Sequence, residues 1–461
     1  MFLSMLNIFF IILLQTLTLV IAVMSSKCTM IDNLNQDCLL EIFKNLTDSD
    51  KLKAELVCKK WRTVLRDVWK KCKRLDSNNG GKFKFNGSKG HVNLVMCKKI
   101  LLRSLRNLTE LHLTKVQNPQ NWTIMDWEDK DHMCTHSGID ISSIDDCLLG
   151  CYHIETLRLC CCIVEFSTYI LSKIIERNSN LRVLELADYC LSEDSLYHLE
   201  YESLESLFLL SGSIQDMNFQ EMESECTKLK IYSLHKNEIE GSTKNILLMP
   251  PSLEQLDLSS DRNIGKFELN RMMKKMKTNS LQNLQILSVA TNSNVNDGIL
   301  SVIAQHCPTL LGLDISMCHN ISNKGIRSLV SLPKLICLIA DYCLGVTGEA
   351  FLNFNKKLRI LSLRRYQLTL SQFFNILQNL ENLEELTVAE KCISNAYVTS
   401  AVSITKQRTK NVPLKARFYG CNIQPEKIVN DCPRFTYEVQ DFGNGNNFYE
   451  FFYGSRSIPP T

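Results

Sequence analysis

The side chains best equipped for chemistry in this chain are its twenty cysteines and nine histidines. A metal centre or a thiol redox pair would need them at close, regular spacings. The densest groupings are His132-x-Cys134-x-His136 and the run Cys160-Cys161-Cys162. Each lacks the further ligands of a tetrahedral site. No CxxC pair occurs, and GxSxG, HExxH, P-loop and dinucleotide fingerprints are missing as well. No His stands in an evident pairing with a Cys and an acid. These residues predict no metal, no cofactor and no catalytic centre. The chemistry expected of the chain is binding, so the elements that would present a binding surface decide its function.

The 461 residues are 45% hydrophobic and 22% charged, close to the average of a soluble globular protein. That excludes a wholly disordered chain, a collagen and a polytopic membrane protein. Lys and Arg number 52 against 49 Asp and Glu, so no global field would draw the chain to nucleic acid or an anionic surface. Phe2 to Val23 is uncharged and long enough to span a bilayer. No cation precedes it, as one would in a secretory signal. Residues 1–26 are read three ways: an upstream addition before a start at Met24, a membrane anchor with the rest of the chain cytosolic, or a signal cleaved after Ala22.

Leu34, Leu39, Leu40, Ile42, Phe43 and Leu46 recur at helical steps, predicting an amphipathic helix that starts near Asp37. Thr47-Asp48-Ser49-Asp50 supplies capping side chains for a second helix carrying Leu52, Leu56 and Val57. A third helix carries Trp61, Val64, Leu65, Val68 and Trp69. Three helices in about forty residues bury little surface by themselves, so a partner or a following domain is expected to complete the core. Residues 30–72 resemble an F-box. The resemblance rests on Leu34-x4-Leu39-x2-Ile42-Phe43-x2-Leu46, on Asp50-x-Leu52 and on Val57-Cys58-x2-Trp61-Arg62. The family usually has Pro after the first Leu; Asn35 stands here, itself a turn or capping residue. The resemblance implies docking onto a Skp-type adaptor and, through it, onto the cullin and RING subunits of an SCF ubiquitin ligase. The adaptor-binding residues it implies are Leu34, Leu39, Ile42, Phe43, Leu46, Leu52, Val57 and Trp61. The basic run Lys59, Lys60, Arg62, Arg66, Lys70, Lys71, Lys73 and Arg74 reads as a solvated helix face, because no aromatic stacking platform accompanies it.

After a turn-rich connection with Asn78-Asn79-Gly80-Gly81, the pattern L-x-x-L-x-L recurs from Leu108-Leu111-Leu113 to Leu383-Leu386-Val388. From Ile154 onward its starts step by 27, 23, 25, 24, 31, 26, 25, 23 and 25 residues. That is the leucine-rich-repeat period. Leu-x-Leu alternation predicts a short strand with its apolar side inward. Helical stretches such as Leu370 to Leu377 follow. The expected fold class is α/β: a short three-helix module followed by a solenoid with parallel strands on its concave face and helices outside. Leu310 to Leu329 resembles the cysteine-containing repeat subtype. Cys190, Cys318, Cys343 and Cys392, just after strands, and Cys226 and Cys307, just before them, are expected as core thiols.

The expected organisation is an N-terminal segment 1–26, an F-box at 30–72, a connection at 73–107, repeats over 108–425 and an aromatic-rich tail or cap over 426–461. Between 108 and 154 lies a degenerate repeat with a loop holding Trp122, Trp127 and an acidic cluster. On the strands, the residues flanking the middle leucine point outward. Their apolar members, Val183, Phe208, Ile231, Ile286, Cys337, Ile339 and Ile360, would form a substrate-docking surface unless the tail covers it. Taken together, the resemblance implies a non-catalytic substrate-recognition subunit of an SCF ligase, binding an unknown protein substrate in the cytoplasm or nucleus. Alternatives are a tethered or secreted leucine-rich-repeat binding protein, and an F-box scaffold that works without a cullin. Sequons at Asn45, Asn86, Asn107, Asn121 and Asn320 bear on the secreted alternative.

Overall fold

The computed structural model describes residues 34–76, 92–117, 147–160 and 168–440, apart from short stretches inside those ranges. The hydrophobic run 2–23, the turn-rich 77–90, the Trp122/Trp127 stretch, His132 to His136, Cys161–Cys162 and the aromatics from Phe442 onward lie outside the described residues. No described helix is long and apolar enough to cross a membrane. The chain divides into two compact units, Met1–Leu181 and Arg182–Thr461.

The described part of the first unit begins with helices α1 (Gln36–Lys44), α2 (Asp48–Ala54) and α3 (Lys59–Lys70). Strand β1 (Arg74–Asp76), helix α4 (Leu94–Ser104), strands β2 (Glu110–Thr114) and β3 (Thr156–Cys160) and helix α5 (Thr168–Arg177) follow. The three strands are parallel, with Leu75 opposite Leu111 and Leu111 opposite Leu157. Strand β1 was not expected from the sequence, because Arg74-Leu75-Asp76 closes a basic run and carries one apolar residue.

The large sheet of the second unit contains eleven described parallel strands, paired in chain order; Cys190–Leu191, Ser213–Gln215 and Glu238–Glu240 form a second, three-stranded parallel sheet. They are β4 (Val183–Ala187), β5 (Ser206–Leu210), β6 (Ile231–His235), β7 (Gln255–Asp257), β8 (Ile286–Ser288) and β9 (Gly312–Asp314). Then come β10 (Cys337–Ile339), β11 (Ile360–Arg364), β12 (Glu385–Ala389), β13 (Leu414–Tyr419) and β14 (Phe435–Gln440). The middle residues Leu184, Leu207, Tyr232, Leu256, Leu287, Leu313, Leu338, Leu361, Leu386 and Ala416 stand in register and are buried. Helices α6 (Lys266–Lys277), α7 (Asp297–His306) and α8 (Asn323–Ser328) stack side by side, as do α9 (Leu370–Asn379) and α10 (Asn395–Gln407). The result is the expected repeat solenoid, strands in one layer and helices in another. It continues through β14, inside the stretch expected as a tail.

Two devices recur at several of the junctions between repeats. Ser211, Thr291, Met317, Tyr342, Arg365 and Gly420 follow their strands with φ between 54° and 63°. Each gives its N–H to a carbonyl of the next repeat: His235, Ser316, Asp341, Arg364, Ala389 and Gln440 respectively. Five of these are not glycine, so the ladder bond holds a backbone that ordinarily costs an L-residue about 1–2 kcal/mol. The second device sits eight residues past the first leucine of four repeats. There a side-chain donor reaches back to the preceding repeat: Asn237 to Leu209 O (2.8 Å), Cys318 to Val289 O (3.2 Å), Cys343 to Ile315 O (3.1 Å) and Tyr366 to Ala340 O (2.6 Å). Burial pushes the Cys343 thiol up to about 12, which suits a donor rather than a nucleophile. Cys226, Cys307, Cys318 and Cys343 are buried free thiols. Cys392 is exposed, against expectation. It lies nine residues past Leu383, one step beyond the donor position, and Ile393 enters the core instead. The side chain of Cys190 lies outside the described residues.

Candidate functional site

The three N-terminal helices are set by their caps. Asn35, standing where the family has Pro, accepts from Cys38 N with its side chain (2.8 Å) and caps α1. Thr47 caps α2 by accepting from Asp50 N (3.2 Å). Cys58 caps α3. Leu39 and Phe43 of α1 are buried, as are Trp61, Val64, Leu65, Val68 and Trp69 of α3, the helix against which α1 packs. The Phe43 and Trp61 rings meet edge to face, with centroids 5.0 Å apart.

Glu55 anchors this module to α4. Its carboxylate is only 5% exposed and accepts from Trp69 Nε1 at 2.7 Å and from Arg103 Nε and Nη2 at 2.7–2.9 Å. A buried carboxylate needs such partners, and the Arg fork supplies two of them in one plane.

Of the eight residues expected to meet an adaptor, Leu39, Phe43 and Trp61 are buried in the module's own core. They support the surface rather than form it. A three-helix module this small needs its largest side chains for itself. Leu34, Ile42, Leu46 and Leu52 are half-buried, and Val57 is 51% exposed. Leu56, beside Val57, is 78% exposed and was not among the expected contacts; both lie past the end of α2 rather than on it. The Trp61 indole N–H, though buried, has no acceptor among the described residues.

The strand layer of the second unit departs further from expectation. Val183, Ile231, Ile286, Cys337 and Ile360 share one outward row, and Phe208 and Ile339 share the next. Val183, Ile231 and Ile360 are half-buried, but Phe208 is 9%, Ile286 3% and Ile339 6% exposed. Hydrogen-bonded strands lie about 4.8 Å apart, so outward side chains of one row lie against their neighbours. Apart from Cys337 and Ile360, the apolar members stand next to Ser206, Gln255, Gly312, Ser233, Asp314 or Ser362, so they are interleaved with polar residues and do not form an open greasy patch.

Polar residues share these rows and were missed by a search for apolar ones. Asp257 accepts from Ser233 Oγ (3.2 Å) and Ser259 N (2.9 Å), and Asp314 from Ser316 Oγ (2.6 Å). Asp341 accepts from Ser362 Oγ (2.7 Å) and Arg364 N (2.8 Å). The Arg364 guanidinium lies over the Tyr419 ring at 4.5 Å. Desolvation raises Asp314 from 3.8 to about 7; Ser316 opposes the rise, and the Asp341 and Asp257 carboxylates add to it. Near the end of the layer, Arg417 pairs with Glu385 at 2.7 Å and Glu438 at 3.5 Å.

Residues 31–73 match the F-box domain model. No curated protein sequence matches the chain. Among solved structures, the chain is similar to one in the crystal structure of the TLR13–ssRNA13 complex. That likeness has a TM-score of 0.40 and 17% identity, and covers 73% of this chain and 51% of that one. It thus spans about half the length of the TLR13 chain. A chain of the crystal structure of the Rad7 and Elc1 complex in yeast gives a TM-score of 0.40 and 16% identity, covering 89% and 98%. Neither likeness bears on function.

Proposed function

We propose that this chain is the substrate-recognition subunit of an SCF-type ubiquitin ligase. Its F-box holds a Skp-type adaptor, and through it the cullin and RING subunits. Its repeat unit holds a protein substrate. The chain contributes binding rather than bond chemistry: it raises the effective concentration of substrate lysines at a ubiquitin-conjugating partner. The observation that carries the reading is the F-box at residues 31–73, whose helices leave Leu56 and Val57 exposed and Leu34, Ile42, Leu46 and Leu52 half-covered. Covering such side chains stabilises a complex by about 1.5–3 kcal/mol for each one fully buried. A cytoplasmic or nuclear location goes with this reading.

The secreted alternative is less well supported. The side-chain amide nitrogens of Asn45, Asn107 and Asn320, where a glycan would attach, donate to Glu41 O, Lys70 O and Ser293 O. Co-expression with a Skp-type adaptor separates the readings. The full chain is expected to co-purify with the adaptor, support ubiquitin transfer with cullin and RING added, and show no glycosidase mobility shift. Leu56→Asp with Val57→Asp, both on the surface, is expected to abolish co-purification without unfolding the chain. An unchanged yield of adaptor would remove the proposal.

A further inference from the structure

The turns that follow β9, β10 and β11 place Met317, Tyr342 and Arg365 at the same point of three consecutive repeats, with φ of 58°, 58° and 63°. Each stands seven residues past its repeat's first leucine: Leu310, Leu335 and Leu358. Glycine takes this backbone without strain. Gly420 does so after β13 while giving the same kind of ladder bond, to Gln440 O. The bond therefore needs no side chain. A strained backbone that nevertheless keeps its side chain points to a use for that side chain.

The three side chains form a row along one rim of the strand layer. Met317 is 43% exposed, Tyr342 is half-buried, and Arg365 is exposed, its guanidinium over the Tyr342 ring at 6.0 Å. Two residues past Tyr342, Leu344 is 75% exposed. Its neighbours hold it there. Val346 N donates to Cys343 O (3.0 Å), and Gly345 packs so closely on Ile321 O that a Cβ would collide with it. Residues 317–320, 342–346 and 365–368 include no acid, and Asp341, just before Tyr342, is turned to Ser362 Oγ and Arg364 N. The rim is thus apolar at Met317 and Leu344 and cationic at Arg365. Met, Tyr and Arg are also the side chains that protein interfaces favour.

We propose that this rim docks an acidic segment of the protein substrate, with an apolar side chain against Met317 and Leu344 and a carboxylate on Arg365. This rests on the reading of the chain as a substrate receptor. Met is unbranched and adapts to the side chain it meets, and Arg offers a planar fork to a carboxylate. The outward rows of the strand layer offer less, since Phe208, Ile286 and Ile339 are almost fully buried. An anionic membrane is the poorer fit, because it is held by clusters of cations and a single guanidinium stands in this row.

The test uses the full chain bound to its adaptor. It is challenged with phosphatidylserine vesicles and with three pools of short degenerate peptides: acidic with Leu and Phe, acidic without apolar residues, and basic with Leu and Phe. The first pool is expected to be retained selectively. Met317→Gly, Tyr342→Gly and Arg365→Gly together should weaken that retention by about tenfold or more and leave adaptor co-purification unchanged. The same variant should keep or raise the melting temperature, because glycine relieves the left-handed backbone. Equal retention of the three pools would overturn the proposal, as would retention that ignores the triple substitution. A triple variant melting well below the parent would overturn it too, since the side chains would then be serving the fold. Preferential capture of the vesicles, or a dimer of the chain that the triple substitution dissolves, would give the rim to a membrane or a second copy instead. Retention of the first pool by a chain that fails to bind the adaptor would sustain the rim site and count only against the receptor reading.

Discussion

Asp314 shows how a single position in the strand layer acquires unusual chemistry. It is buried in β9, its hydroxyl partner Ser316 lies two residues on, and the carboxylates of Asp257 and Asp341 lie near enough to oppose its charge. Its proton is therefore held to about pH 7 in the folded chain, against 3.8 ordinarily. A carboxyl raised in this way contributes stability that is complete below about pH 4 and lost as pH rises to about 7. Asn at this position keeps an oxygen to accept from Ser316 but cannot ionise. We expect the melting temperature of Asp314→Asn, relative to the parent, to climb between about pH 4 and pH 7 and level off above. Parallel melting curves across that range would show that Asp314 titrates normally. None of this was legible in the sequence. Alternation identifies Asp314 as outward-facing, but it does not report how deeply an outward side chain sinks between its neighbours.

At the scale of elements, the joint that matters most lies between the F-box helices and α4. Arg103 reaches Glu55 in a bidentate pair, and Trp69 satisfies the same carboxylate from α3. Removing the guanidinium leaves a buried carboxylate with one neutral donor. Arg103→Ala should therefore lower unfolding free energy by about 3 kcal/mol, read as a shift in the denaturant midpoint. Arg103→Lys should recover part of that loss, since a point charge replaces a fork. A loss below about 0.5 kcal/mol for the alanine variant would mean that water reaches Glu55 and the joint is loose. The helices themselves were legible because stripe and cap coincide: Asn35 and Thr47 stand where their helices start. The Glu55–Arg103 pair was not, since 48 residues separate its members and nothing local marks it.

Across the whole molecule, a repeating local rule made the fold readable. Leu-x-Leu set eleven strands, and the same spacing repeated the joints at several of them. The rule lapsed where the local signal did. Phe435-Thr436-Tyr437-Glu438-Val439-Gln440 forms β14 without one leucine, so Phe435 and Tyr437, read as part of a tail or cap, extend the strand layer. The candidate surfaces were less legible than the fold. Helical periodicity shows which side chains leave water but not which polypeptide covers them, so Leu39, Phe43 and Trp61 looked the same as Ile42 and Val57. The measurement that bears most directly on function is the dissociation constant of the purified full chain for a purified Skp-type adaptor. The account predicts a 1:1 complex that Leu56→Asp with Val57→Asp weakens by about a hundredfold or more, two apolar side chains being withdrawn from a buried interface. No measurable binding by the parent chain, or equal binding by the doubly substituted one, would contradict it.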